Sequence, residues 1–248
     1  MNTKIHERYL RLKNRKAKDW WTTTFGDPLS WLILSLIGDW KFITPDRITI
    51  LSFFCKIGPA AMILFKGRPV VIAAAIILQV GQILDSMDGN LARYRGITSL
   101  QGSFIDKILD GTGFLFLCSS LSWHIYQNGG AAYYLIMGPL TAGLYLSICY
   151  MYWVTAFAEL QKSGDVKKTR VEKNVKSISD IPLWKYIIKG QKKILKFNQA
   201  DFYFWIGLGL IINHPEIVLW ILFVMLLKKT IRRFFVRRKQ LIKLEREY

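Results

Sequence analysis

The chain is 248 residues long, 52% hydrophobic and 14% aromatic, and its 35 Lys and Arg outweigh 17 Asp and Glu to leave a formal charge of +18. So much apolar content excludes intrinsic disorder. With 18 Gly, 7 Pro and 3 Cys, collagen-like, low-complexity and disulfide-rich classes fail as well. Long apolar blocks between basic stretches predict an all-α, polytopic membrane protein. Cys55, Cys118 and Cys149 sit in apolar runs at wide spacing and read as buried small hydrophobes.

In chain order, residues 1–19 are hydrophilic and basic, without the apolar core of a signal peptide, so insertion relies on internal spans. Trp20 and Trp21 follow, and Gly26-Asp27-Pro28 predicts a turn into the apolar run Ser30–Trp40. A span needs about 20 residues, so this run predicts an interfacial amphipathic helix anchored by Trp rings. Six segments then qualify as transmembrane helices: Ile43–Phe65, Arg68–Arg93, Ser99–Gln127, Ala131–Ala158, Asp201–His214 and Pro215–Phe235. The last two stay separate only if Asn213-His214-Pro215-Glu216 is a tight turn; otherwise they fuse and the count is five. Pro139, after Gly138, predicts a kink in the fourth span. The connection 159–200 is basic, contains Pro182 and predicts a helix around Trp184–Leu195.

Six spans place 29 of the 35 Lys and Arg on one face, as the positive-inside rule expects, whereas five would put the basic tail on the other side. Both termini are therefore expected in the cytoplasm. The layout is a basic N-terminus with its interfacial helix over 1–42, a six-helix domain over 43–239 that includes the basic connection 159–200, and a tail over 240–248. The basic clusters flank spans and no nucleic-acid module is recognisable, so membrane lipids rather than nucleic acid are the expected partners.

Charges inside spans are expensive and usually functional. Asp85 and Asp88 are three residues apart in the second span, and Asp106 and Asp110 four apart in the third, so each pair shares a helix face. Folding the two spans about Gly96 sets both pairs at one depth, near the cytoplasmic ends. Four carboxylates so close stay ionised only with cations between them, and an oxygen-only set suits Mg²⁺ or Mn²⁺. Two ions could polarise a phosphoryl group, and one carboxylate could act as general base. The bland alternative is a set of ion pairs with Arg93, Arg95 and Lys107, but these lie at the cytoplasmic end or on another face. Gly89, Ala92 and Gly102 remove bulk beside the acids, either for a ligand or for tight helix packing.

The run Asp85-x2-Asp88-Gly89-x2-Ala92-Arg93-x8-Gly102-x3-Asp106-x3-Asp110 resembles the signature of CDP-alcohol phosphotransferases at all its fixed positions. Chance agreement somewhere in the chain is about 10⁻⁸ at average residue usage. Thr44-Pro45-Asp46-Arg47-Ile48-Thr49 also resembles the family's entry to its first span, with Asp46 in place of Asn. The resemblance implies that Asp85, Asp88, Asp106 and Asp110 hold two Mg²⁺ or Mn²⁺ ions, with Asp110 also the base. It implies that Gly89, Ala92, Arg93 and Gly102 seat the CDP part of the donor. It further implies a homodimer, with sites open to cytoplasm and lipid, that joins a CDP-linked donor to an alcohol acceptor and releases CMP in phospholipid biosynthesis.

The signature leaves the second substrate open. CDP-diacylglycerol with a small polar alcohol is the first expectation, and a CDP-linked small alcohol donating to a lipid or polyol acceptor is the alternative. Members taking phosphorylated alcohols present arginines from later spans; Asp201–His214 has no Arg or Lys, and Lys192, Lys193 and Lys196 are the available substitutes. Lys56, midway along the first span, is open to three roles: snorkelling, pairing with an acid, or touching a substrate phosphate. His124 reads as a satisfied helix histidine. From another class, a divalent-cation transporter would need polar residues continuing across the membrane, and Val70–Val80 and Gly113–Leu121 offer almost none.

Overall fold

The computed structural model describes residues 3–13, 19–65, 67–97, 100–163, 181–194 and 197–247. Among them every regular element is helical. The elements are α1 (Thr3–Leu12), a π-helical turn (Thr22–Gly26), α2 (Asp27–Ile37), α3 (Pro45–Met62), α4 (Arg68–Arg95), α5 (Leu100–Gln127) and α6 (Tyr134–Ser163). Then follow α7 (Leu183–Gln191), α8 (Gln199–Ile212) and α9 (Pro215–Glu247). By length and composition α4 and α6 are able to cross a bilayer, and α8 is a shorter apolar helix. Ser99, Lys66, Leu195, Lys196 and most of the basic connection fall outside the described residues.

Local chemistry accounts for the helix ends. The Thr44 hydroxyl caps α3 by accepting from the Arg47 N–H, and Pro45 opens its first turn, where no N–H is needed. Gly96 ends α4 with φ +66° and Asn213 ends α8 with φ +63°, the left-handed conformation that glycine and asparagine tolerate. Asn213 and Pro215 thus make the expected break between α8 and α9. α9 runs on past Phe235 to Glu247, carrying the basic tail as helix.

Gly26-Asp27-Pro28 is not a turn. The π-helical turn leads straight into α2 with Gly26 at φ −59°, and Pro28 lies in the first turn of α2. Gly26 serves close approach instead: a Cβ there would stand 2.6 Å from Ser86 Oγ on α4. α1 also had no counterpart in the sequence reading. It docks through buried Leu12 and an edge-to-face contact of Tyr9 with Trp31, ring centroids 6.4 Å apart, while the Arg8 guanidinium donates to the Ser35 carbonyl near the end of α2.

Two apolar clusters flank the middle of the molecule. The larger unites α3–α6 with α8 and α9 around Phe114, whose ring lies 5.1 Å from Tyr145, 5.6 Å from Phe202 and 5.8 Å from Tyr203. The smaller joins α1, α2, α3, α4 and α7 around Trp31, Leu91 and Tyr186. Between them α3 packs along both α4 and α5, whereas α4 and α5 make no substantial backbone contact among the described residues. The two acid-bearing helices therefore do not close directly on each other, as a simple hairpin would. Gly81 lets α3 reach α4, since a Cβ there would stand 3.0 Å from Cys55 Cβ and 3.2 Å from its backbone. Ser52 adds a hydroxyl bond of 3.0 Å to the Gly81 carbonyl.

Candidate active site

The wedge formed by α3 gives the site its shape. Asp85 on α4 and Asp106 and Asp110 on α5 each turn a carboxylate oxygen inward, and these three atoms lie within 4.8 Å of one another. Such an all-oxygen set fits one hard divalent ion by donor chemistry and spacing. Asp88 stands slightly apart. Its Oδ2 accepts from the Thr49 hydroxyl at 2.6 Å, and its Oδ1 from the Gly89 N–H. Thr49, Asp88 and Asp106 share the wall of a cavity of about 340 Å³.

That cavity also gathers the other signature residues. Gly89, Ala92, Arg93 and Gly102 line it together with Asp46 at the start of α3. The Arg93 guanidinium lies across Gly89, where a Cβ would meet its Nη1 at 3.1 Å. Its Nη2 donates to Asn90 Oδ1 at 2.6 Å. Asn90 in turn donates to Asp27 Oδ1 at 3.3 Å and to Ser30 Oγ at 2.9 Å, and Tyr186 O–H donates to Asp27 Oδ2 at 2.6 Å. Burial pushes the Asp27 carboxyl above its usual range, and the bonds from Tyr186 and Asn90 pull it part of the way back. Residues on α2 and α7 thereby back the rim arginine on α4.

Lys56 takes the second of its three expected roles. Lys56 is 2% exposed, and its ammonium donates to Asp85 Oδ1 at 2.5 Å and to Asp110 Oδ1 at 2.6 Å, with the Tyr203 ring centroid 5.4 Å away. His124 is satisfied as expected, its Nδ1 2.9 Å from the Ile63 carbonyl. The suggested substitutes for later-span arginines fare differently. Lys193 is committed to the Thr23 hydroxyl at 2.8 Å, and Lys196 lies outside the described residues.

Cationic side chains come instead from α9. A cavity of about 560 Å³ is lined by Lys228, Lys229, Arg232 and Arg233 with Asn198 and Gln199. A neighbouring one of about 360 Å³ shares Asn198 and Gln199 and reaches Asp85 and Asp110. In the sequence these α9 residues stand out only as tail charge. Their recurrence at 228, 229, 232 and 233 is a helical stripe and was the available signal.

The CDP-alcohol phosphatidyltransferase family model matches residues 42–177, more than half of the chain. An archaetidylinositol phosphate synthase of Pyrococcus horikoshii is 38% identical over 68 residues, covering 27% of this chain and 35% of that protein. Bifunctional IPC transferase and DIPP synthases of Aquifex aeolicus and Thermococcus kodakarensis are similar too. The first is 34% identical over 83 residues (33% of this chain, 18% of the relative) and the second 37% over 68 (27% and 15%). The chain thus spans about a third or less of the length of these curated relatives. The family match begins just ahead of α3 and takes in every residue of the acid-lined cavity and the carboxylate triad. The chain belongs to the CDP-alcohol phosphatidyltransferase family, whose members are transferases and generally depend on a divalent metal.

Proposed function

We propose that this chain transfers a phosphatidyl group from CDP-diacylglycerol to the hydroxyl of a polar alcohol and releases CMP. One observation carries the reading: Gly89, Ala92, Arg93 and Gly102 line a single cavity whose wall includes Asp88 and Asp106. A cavity bordered by small residues admits a bulky polar donor close to backbone, and a rim arginine supplies a bidentate partner for phosphate. Mg²⁺ or Mn²⁺, held by Asp85, Asp88, Asp106 and Asp110, would neutralise the donor pyrophosphate and stabilise the leaving phosphate. Arg93 binds and orients the donor. Asp110, at the meeting point of the triad and the cavity towards α9, takes the proton from the acceptor hydroxyl. The acceptor oxygen bonds to the lipid-side phosphorus as the bond from that phosphorus to CMP breaks. Catalysis is then mainly positioning and electrostatics.

The basic cavity favours a second reading of the acceptor. Lys228, Arg232 and Arg233 beside Asn198 and Gln199 suit an alcohol that itself bears a phosphate, rather than a neutral one. The relative named for archaetidylinositol phosphate synthesis supports this choice. The family match lends the transporter alternative no support.

The same proposal includes six spans formed by α3, α4, α5, α6, α8 and α9, with α2 in the interface and both ends in the cytoplasm. Exposed Leu29, Leu32, Leu36 and Trp40 give the α2 region an apolar face for that interface. Residues 1–42, 43–239 and 240–248 keep the roles set out above, and two copies form a homodimer. The test offers the full chain CDP-diacylglycerol, Mg²⁺ or Mn²⁺, and a panel of alcohols and alcohol phosphates, reading CMP and the mass of the lipid product. No CMP with any pair would refute the enzyme reading. Products from neutral alcohols alone would refute the phosphorylated acceptor.

A further inference from the structure

The buried ammonium of Lys56 lies outside the lining of the cavity proposed to seat CDP, yet the fold goes to some length to place it. A charge midway along a spanning helix is costly unless paired. Lys56 is held from both sides. Cys55, its neighbour on α3, is pressed on Gly81, and Ser52, one turn earlier, is bonded to the Gly81 carbonyl at 3.0 Å. On the opposite side Gly113 of α5 faces the Lys56 stem, where a Cβ would stand in ordinary contact 3.8 Å from Lys56 Cβ. The Tyr203 ring covers the ammonium, its centroid 5.4 Å from Nζ. The two oxygens that Lys56 contacts, Asp85 Oδ1 at 2.5 Å and Asp110 Oδ1 at 2.6 Å, belong to carboxylates of the triad that fits a divalent ion.

We propose that Lys56 is a resident cation of the carboxylate centre, holding Asp85 and Asp110 together until a divalent ion displaces it. Lys56 then weakens metal affinity and, in return, makes the metal-free centre stable. This inference rests on the proposed metal-dependent function, and its test is separable from that function. Two like charges drawn to the same carboxylates oppose each other, most strongly where water is scarce. Without the ammonium, three close carboxylates repel, and a bound divalent ion relieves them by neutralising their charge.

The experiment measures Mn²⁺ binding by the paramagnetic resonance of free Mn²⁺, on the full chain in detergent, for wild type, Lys56→Met and Lys56→Gln. Melting temperature is followed in parallel with EDTA and with Mn²⁺. The expected result is Mn²⁺ affinity at least about tenfold tighter in both variants. Their melting temperature should fall below wild type in EDTA and recover with Mn²⁺. Affinity equal to or weaker than wild type overturns the proposal. So does failure of both variants to fold even with Mn²⁺, because the metal then does not replace the ammonium. CMP release by the same wild-type preparation distinguishes the two readings. An active wild type with unchanged variant affinities refutes only the role of Lys56, whereas an inactive one counts against the enzyme.

Discussion

Replacing Asn90 tests whether the interior of the α2–α4–α7 contact sets the grip on the donor. Asn90→Leu keeps the branched shape but removes the acceptor for Arg93 Nη2 at 2.6 Å and the donor to Asp27 and Ser30. A hydrogen bond to a charged group is worth about 1.5–3 kcal/mol. Without that bond Arg93 is less well positioned for the proposed donor, and a loss of about 2 kcal/mol of donor binding is expected. At about 1.4 kcal/mol per factor of ten, that is roughly a 30-fold fall in kcat/KM. In the proposed role Arg93 would hold the donor in ground and transition states alike, so the loss should fall mainly on KM for the CDP donor. CMP release at varied donor concentration measures it, with Ser30→Ala as control. The control removes the Asn90 bond of 2.9 Å to Ser30 but leaves Arg93 held, and its donor KM should stay within about twofold of wild type. An Asn90→Leu enzyme with unchanged donor KM, or a Ser30→Ala enzyme equally impaired, would refute the chain of positioning.

Asp110→Asn should retain nucleotide binding and lose turnover by at least about a hundredfold, the usual weight of a general base; full turnover rules out Asp110 in that role. Gly138→Ala places a Cβ 1.7 Å from Ser122 Oγ and 2.3 Å from the Cys118 carbonyl, so α6 must shift off α5. Overpacking of this kind costs about 1–3 kcal/mol, and a melting temperature equal to wild type would show that the two helices are not in contact there. Burial raises the Asp27 carboxyl above 3.8, so the folded chain takes up that proton at higher pH than the unfolded one. Its contribution to stability is full below 3.8 and fades as pH rises through the raised value. The melting difference between wild type and Asp27→Asn should therefore move in favour of wild type on acidification, and a difference flat with pH contradicts the buried carboxylate.

What could be read in advance, and what could not, divides along sequence distance. Asp85, Asp88, Asp106 and Asp110 stand out because each interrupts an apolar run, and helix spacing alone says which pairs share a face. The helix ends were legible for a similar reason, since Gly96 and Asn213 occupy the left-handed positions their side chains tolerate. Gly26 misled because a glycine marks either a backbone turn or a close approach, and only the neighbour decides; that neighbour is Ser86, sixty residues away. Lys56 shows the same limit for charge. Its partners Asp85 and Asp110 lie 29 and 54 residues along the chain, so local pattern could name the possibilities without choosing among them. The choice was made by α3 packing along both α4 and α5, where Gly81, which carries no charge at all, lets α3 and α4 meet closely. A carboxylate centre in such a bundle is therefore defined as much by the small residues that let a third helix approach as by the acids themselves.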